Sequence, residues 1–209
     1  MTQSLVDLLL HLDQHLDLLF AQMGMWTYAV IFVIVFAETG LVVTPFLPGD
    51  SLLFATGALA ARGLIPPIVL GALLSAAAIA GDTVNYWIGQ VAGPRVFRQE
   101  HSRFFKREYL DRTQRFFERY GSLTIVLARF VPIVRTFAPF VAGIGRMAYG
   151  RFLFYNVLGG IVWVTAFGAL GYFFGNLPAV REHFTLAIGV VIVLSGVPIL
   201  VELWRHRRR

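Results

Sequence analysis

Apolar segments follow one another from residue 26 to residue 204, and a single strongly polar stretch, 95–119, divides them. Within 209 residues no soluble core could hide that much apolar surface. Hydrophobic residues make up 57% of the chain and the mean hydropathy is +0.68, outside the usual range of soluble domains. Since lipid offers no partner to a free backbone amide, the expected class is an all-α integral membrane protein forming one membrane domain over 1–209. There are no cysteines, which excludes disulfides and thiolate metal sites. The first charges are Asp7, Asp13 and Asp17, so the N-terminus reads as mature sequence and lacks the basic start of a secretory signal.

The segments differ in kind. Residues 4–24 read as an amphipathic helix, clearest over 4–20, where Leu5, Leu8, Leu9, Leu12 and Leu16 share one face. Asp7, His11, Asp13, His15 and Asp17 share the other face, so this helix should lie on a surface and not span. Residues 26–61 are apolar but broken at Glu38-Thr39-Gly40 and at Pro45 to Asp50, and 51–61 alone is too short to cross. Residues 66–93 read as a span, as do 152–175 and 183–204. Residues 122–147 are apolar but interrupted by Arg129, Pro132, Arg135, Pro139 and Gly143. The 95–119 loop carries basic residues interleaved with Phe104, Phe105, Phe116 and Phe117, the composition of a basic interfacial helix.

The net charge is +6, and the basic residues fall mainly in 95–119 and in the tail Arg205 to Arg209. The positive-inside rule puts both in the cytoplasm. An even number of crossings must then separate them, and 152–175 and 183–204 supply two. Residues 122–147 should therefore enter and leave on one side, as a re-entrant hairpin bent near Pro132 to Pro139. The same count makes 26–61 a hairpin from the opposite side. Two hairpin-plus-span units of opposite orientation form the inverted-repeat, broken-helix plan of secondary transporters. Kinked full spans at 26–47 and 122–147 are the alternative.

Four ionisable residues, Glu38, Asp50, Arg129 and Arg135, sit in these broken segments. Each costs about 3 kcal/mol at the bilayer centre, and four unpaired would cost about 10 kcal/mol, comparable with a domain's whole stability. They must pair or meet water. Acids on one hairpin and arginines on the other can neutralise each other. Arginine stays protonated and its planar fork suits phosphate oxygens, while a poorly solvated carboxylate can exchange a proton near neutral pH. The set suits proton-linked movement of an anion; it also suits ion pairs that only hold the hairpins together. Asp82 and Tyr86, four apart on one helical face, are supporting candidates, with a helix-packing contact as the competing role. His11 and His15 lack further ligands beyond Asp7, so no metal is expected. No zinc-protease, nucleophile-elbow or phosphate-loop motif is present, and the chain is not expected to be an enzyme.

Three blocks carry a family resemblance. They are Glu38-Thr39-Gly40 with Pro45 to Asp50; Gly81-Asp82 with Tyr86 and Gly89; and Arg129-Phe130-Val131-Pro132-Ile133-Val134-Arg135-Thr136 with Pro139, Gly143 and Met147. In these the chain resembles the DedA family of bacterial inner-membrane proteins, also described as SNARE-associated or VTT-domain proteins. The resemblance implies two opposed re-entrant hairpins and dependence on the proton motive force. It also implies likeness to translocases of undecaprenyl phosphate, and to eukaryotic relatives that scramble phospholipids. The family's functional acids match Glu38 and Asp50, and its functional arginines match Arg129 and Arg135. Substrate does not transfer with fold.

The expectation is a proton-linked flippase for an anionic lipid carrier, most simply undecaprenyl phosphate, in the bacterial cytoplasmic membrane with a cytoplasmic C-terminus. Arg129 and Arg135 would bind the phosphate; Glu38 and Asp50 would couple protons. Its partners would be membrane lipids, the polyprenyl phosphate and protons, with no cofactor and no nucleic acid, and a homo-oligomer is left open. A passive phospholipid scramblase would be indifferent to a pH gradient. A non-transporting membrane scaffold would depend on the 95–119 loop.

Overall fold

A computed structural model describes residues 24–41, 49–63, 65–96, 107–175 and 177. The N-terminal amphipathic segment, the tip at Pro45 to Pro48, residues 97–106 of the basic loop, the 183–204 span and the basic tail lie outside the described residues. The described chain is helical throughout. The helices are α1 (Trp26–Gly40), α2 (Gly49–Ala61), α3 (Pro67–Val96), α4 (Arg107–Tyr120), α5 (Thr124–Ala128), α6 (Pro132–Ile144) and α7 (Tyr149–Phe174), with a 3-10 turn at Gly121–Leu123.

Two helices are long and apolar enough to cross a bilayer, Pro67–Val91 within α3 and Tyr149–Phe174. Their outer faces carry exposed Ile68, Val69, Phe154, Ile161, Leu170 and Phe173, the surface a hydrocarbon solvent would wet. The other apolar helices are short. α1 has 15 residues, and α2 and α6 have 13 each. At 1.5 Å per residue α1 covers about 22 Å, less than the ~30 Å hydrocarbon thickness.

Local sequence explains where the chain breaks. Val131 is extended (φ −122°, ψ 102°) because Pro132 follows it, and Pro132 then starts α6 where a missing N–H costs nothing. Pro139, also expected near a bend, sits inside α6 without ending it. It cannot donate to the Arg135 carbonyl, so that helix is one bond short at Arg135.

The short helices pack crosswise. α2 lies chiefly against α7, and α6 chiefly against α3, while α1 also lies on α3 and α5 on α7. Small residues permit the close crossings. A Cβ on Gly171 would overlap the Phe54 carbonyl of α2, and one on Gly143 would overlap the Tyr86 carbonyl of α3. Two apolar clusters result. One gathers Ile31, Val35, Leu53, Leu74, Ala77 and Trp163; the other gathers Tyr86, Ile125, Val134, Ala138 and Phe152. α4 is amphipathic. Phe116 and Phe117 pack on the second cluster, whereas Arg115, Glu118 and Arg119 are exposed.

Candidate functional site

Between the two clusters lie all the ionisable residues singled out in the apolar segments, and they form two adjoining groups. The first centres on Arg135, in the first turn of α6. Its Nη1 donates to Asp50 Oδ1 at 2.7 Å and its Nη2 to Glu38 Oε1 at 2.6 Å. Glu38 lies near the end of α1 and Asp50 is the second residue of α2, so both carboxylates of the first broken segment reach one guanidinium of the second. Glu38 Oε1 also accepts the Gly49 N–H at 3.1 Å, which closes the end of α1 onto the start of α2. Carboxylates at this N-terminus meet the positive end of the helix dipole. Gly49 is needed for the approach, because a Cβ there would overlap the Glu38 carboxylate. The side chains are 2% (Glu38), 10% (Arg135) and 12% (Asp50) exposed.

The second group centres on Arg129, in the turn between α5 and α6. Its Nη2 donates to Asp82 Oδ2 and to Asn156 Oδ1, both at 2.6 Å. Asn156 is held in turn by its Nδ2, which donates to the Ile79 carbonyl of α3 at 3.0 Å. Gly159 on α7 makes room for the Arg129 stem, since a Cβ there would stand 3.2 Å from Arg129 Cδ. Among the described residues, Nε and Nη1 of Arg129 and Oε2 of Glu38 are buried with no hydrogen-bond partner.

The structure therefore brings Glu38, Asp50 and Arg135 together and gives Arg129 a different acid, Asp82. Asp82 makes a polar contact from α3 to the α5–α6 turn through Arg129. Tyr86 is placed elsewhere. Its hydroxyl donates to the Met147 carbonyl and accepts from Gln90 Nε2 at 2.7 Å, and its ring stacks on Phe152. It ties α3 to the start of α7 and does not touch either charged group.

Three further residues complete the site, none of them singled out by the sequence. Asn85, fully buried on α3, donates through Nδ2 to the Thr39 and Thr136 carbonyls at 3.1 and 3.0 Å. Those residues follow Glu38 and Arg135, so one amide clamps the backbone beside both ends of an ion pair. Asn156 is the second. Trp163, also fully buried, is the third; its Nε1–H donates to Asp50 Oδ1 at 3.0 Å. An amide or an indole in an apolar helix is common, so no pattern marks them. Asn156 did leave one trace, as a primary amide near the start of an otherwise apolar span.

Among the described residues no group of three or more His, Asp or Glu side chains could hold a metal ion. The assembly instead offers guanidiniums and carboxylates, with Asp50 and Arg135 standing in the first turns of two short helices, α2 and α6. Broken helices aim their N-terminal ends at anionic groups inside membranes.

Comparison with known proteins places the chain in a family. The VTT domain family matches residues 47–173. Protein DedA of Escherichia coli K12 is 52% identical over 206 residues, which is 98% of this chain and 94% of the relative. An uncharacterized membrane protein of Mycobacterium tuberculosis H37Rv is 45% identical, covering 85% of this chain and 80% of the relative. The inner membrane protein YqjA of E. coli K12 is 34% identical, covering 86% and 85%. No solved structure matches significantly. The chain is a helical membrane protein with a VTT domain and belongs to the DedA family.

Proposed function

We propose that this protein is a proton-linked translocase that carries an anionic lipid, most simply undecaprenyl phosphate, across the bacterial cytoplasmic membrane. The observation that carries the proposal is the balance of charge at the site. Three carboxylates (Glu38, Asp50 and Asp82) face two guanidiniums (Arg129 and Arg135) in one buried assembly. With all five ionised it holds one net negative charge. An anion cannot settle there at low dielectric unless the acids take up protons. The same charges that admit a phosphate therefore couple its entry to the proton gradient.

Arg129 and Arg135 are the phosphate ligands in this reading, and Glu38 and Asp50 carry the protons. Arg129 has unpartnered Nε and Nη1, while Arg135 becomes available when an acid lets go. Asp82 and Asn156 hold Arg129 in place. A phosphate ester on a hydrocarbon tail, and not free phosphate, fits the neighbouring apolar cavity of about 390 Å³ between α2, α3 and α7. It runs from Leu53, one turn from Asp50, and Val164, next to Trp163, outward to Pro67 and Phe173.

Short α1 and α2, and α5 with α6, support two re-entrant hairpins in an inverted repeat with α3 and α7. Basic 95–119 and the basic tail support a cytoplasmic C-terminus. The inner-membrane relative supports the same location here. The test is undecaprenyl phosphate exposure on the outer leaflet in cells that depend on this protein. Arg129→Ala and Arg135→Ala should each leave the lipid stranded outside; wild-type recycling in both variants overturns the proposal.

A further inference from the structure

Trp163 stands near the middle of α7 with no exposed surface, where an aliphatic side chain would satisfy packing. It touches charged partners on three sides instead. Its ring centroid lies 5.1 Å from the Arg135 guanidinium carbon and 5.9 Å from that of Arg129, and its N–H reaches Asp50. The two charged groups thus adjoin through one aromatic ring, which attracts both cations by its π face.

Asp50 Oδ1 accepts two bonds, from Arg135 Nη1 at 2.7 Å and from Trp163 Nε1 at 3.0 Å. These respond differently to a proton. The first is an ion pair and weakens when the carboxyl becomes neutral; the second is a hydrogen bond to an oxygen that remains an acceptor. Glu38 is likewise held by two bonds, from Arg135 and from the Gly49 N–H, but its side chain is 2% exposed against 12% for Asp50. Of the two acids, Asp50 is the one nearer the surface and the one that the indole reaches.

Building on the proposed translocation, we propose that Trp163 is the positioning residue for proton exchange at Asp50. A proton binds Asp50 Oδ2, and the contact between Arg135 Nη1 and Asp50 Oδ1 breaks. The indole N–H keeps the neutral carboxyl parked on Trp163, the ring keeps the guanidinium in place, and a phosphate oxygen of the lipid takes Nη1. Deprotonation reverses the sequence and expels the anion. The charged groups facing this step are Glu38 from α1, Asp82 from α3, Arg129 from the α5–α6 turn and Arg135 from α6.

The test uses the full chain in liposomes with labelled polyprenyl phosphate, across pH 5.5 to 8 on the order of one sample per half unit. Trp163→Phe keeps a ring over both guanidiniums and deletes the N–H. It should raise KM about tenfold or more, the worth of one buried bond to a charged group, with a smaller change in kcat, and flatten the pH dependence of KM. In an Asp50→Asn background, where no proton binds at this position, it should leave the pH dependence of KM unchanged. A Trp163→Phe profile that overlays wild type overturns the proposal while the translocase reading stands. An independent arm records the Trp163 indole N–H resonance by NMR, which needs no transport and no folded Trp163 variant. That resonance should move on Asp50→Asn and on titration of the wild type. A resonance blind to both overturns the role of Trp163 whatever the transport result. A responsive resonance in a protein that moves no polyprenyl phosphate overturns the translocase reading, and the exchange step with it.

Discussion

The ion pair between Arg129 and Asp82 gives the sharpest test of whether these charges are held as described. Both side chains are nearly sealed, at 1% and 4% exposed, and they meet at 2.6 Å. Asp82→Leu removes the only carboxylate bonded to Arg129 among the described residues and leaves a full positive charge among α3, α5 and α7. Asn156 still accepts from Nη2, but an amide does not neutralise a cation. Breaking a buried pair from one side costs about 3–5 kcal/mol, and insertion scales for a lone arginine at the bilayer centre give about 3 kcal/mol. For a chain of this size each kcal/mol moves the melting temperature by about 2–4 °C, so the loss should be about 6–20 °C. Thermal unfolding of the purified protein in one detergent, followed by circular dichroism, measures it. Asp82→Asn should fall between, since the amide keeps a bond to Nη2 and loses only the charge. The double variant Asp82→Leu with Arg129→Met should recover most of the loss, because an apolar pair of similar volume leaves no stranded charge. A single variant that melts within about 2 °C of wild type, or a double variant that melts below the single one, refutes the reasoning.

Other consequences follow from the same contacts. Gly49→Ala puts a methyl group where the Glu38 carboxylate lies, so transport should fall to background while the protein still elutes as a folded species on size exclusion. Asn85→Leu removes two bonds to the Thr39 and Thr136 carbonyls and should cost about 1–3 kcal/mol, read as a lower melting temperature. Gly171→Leu pushes α7 off the Phe54 carbonyl and should abolish accumulation of folded protein in membranes, as followed by a fluorescent fusion. Tyr86→Phe deletes the bond to Met147 without touching a charge, so it should lower stability by about 1 kcal/mol and leave the pH dependence of transport as in wild type.

The charged residues were legible because composition alone exposes them. A carboxylate or guanidinium inside an apolar run has few permitted fates. The pairing was not legible. Two acids and two arginines invited a balanced foursome, whereas Arg129 took Asp82, which sits in a long apolar span and not in a broken segment. That exchange leaves the assembly one negative charge in excess, and the proton requirement rests on that excess. The helix breaks were readable at Pro132, where proline starts α6, but not at Pro139, which the interior of α6 tolerates. Asn85, Asn156 and Trp163 escaped notice for a common reason. Each is a neutral residue whose importance lies in partners 27 to 113 positions away, and spacing within one helix carries no sign of them.

In the proposed translocase, lipid anion and proton move as one event through the Arg135 group. Purified protein in liposomes, with labelled polyprenyl phosphate on one face, measures this directly when flipping is compared with and without an imposed pH gradient. Rapid flipping that follows the gradient in wild type and is lost in Arg135→Ala is the expected result. Flipping at the same rate with and without the gradient, or flipping that survives Arg135→Ala, contradicts it.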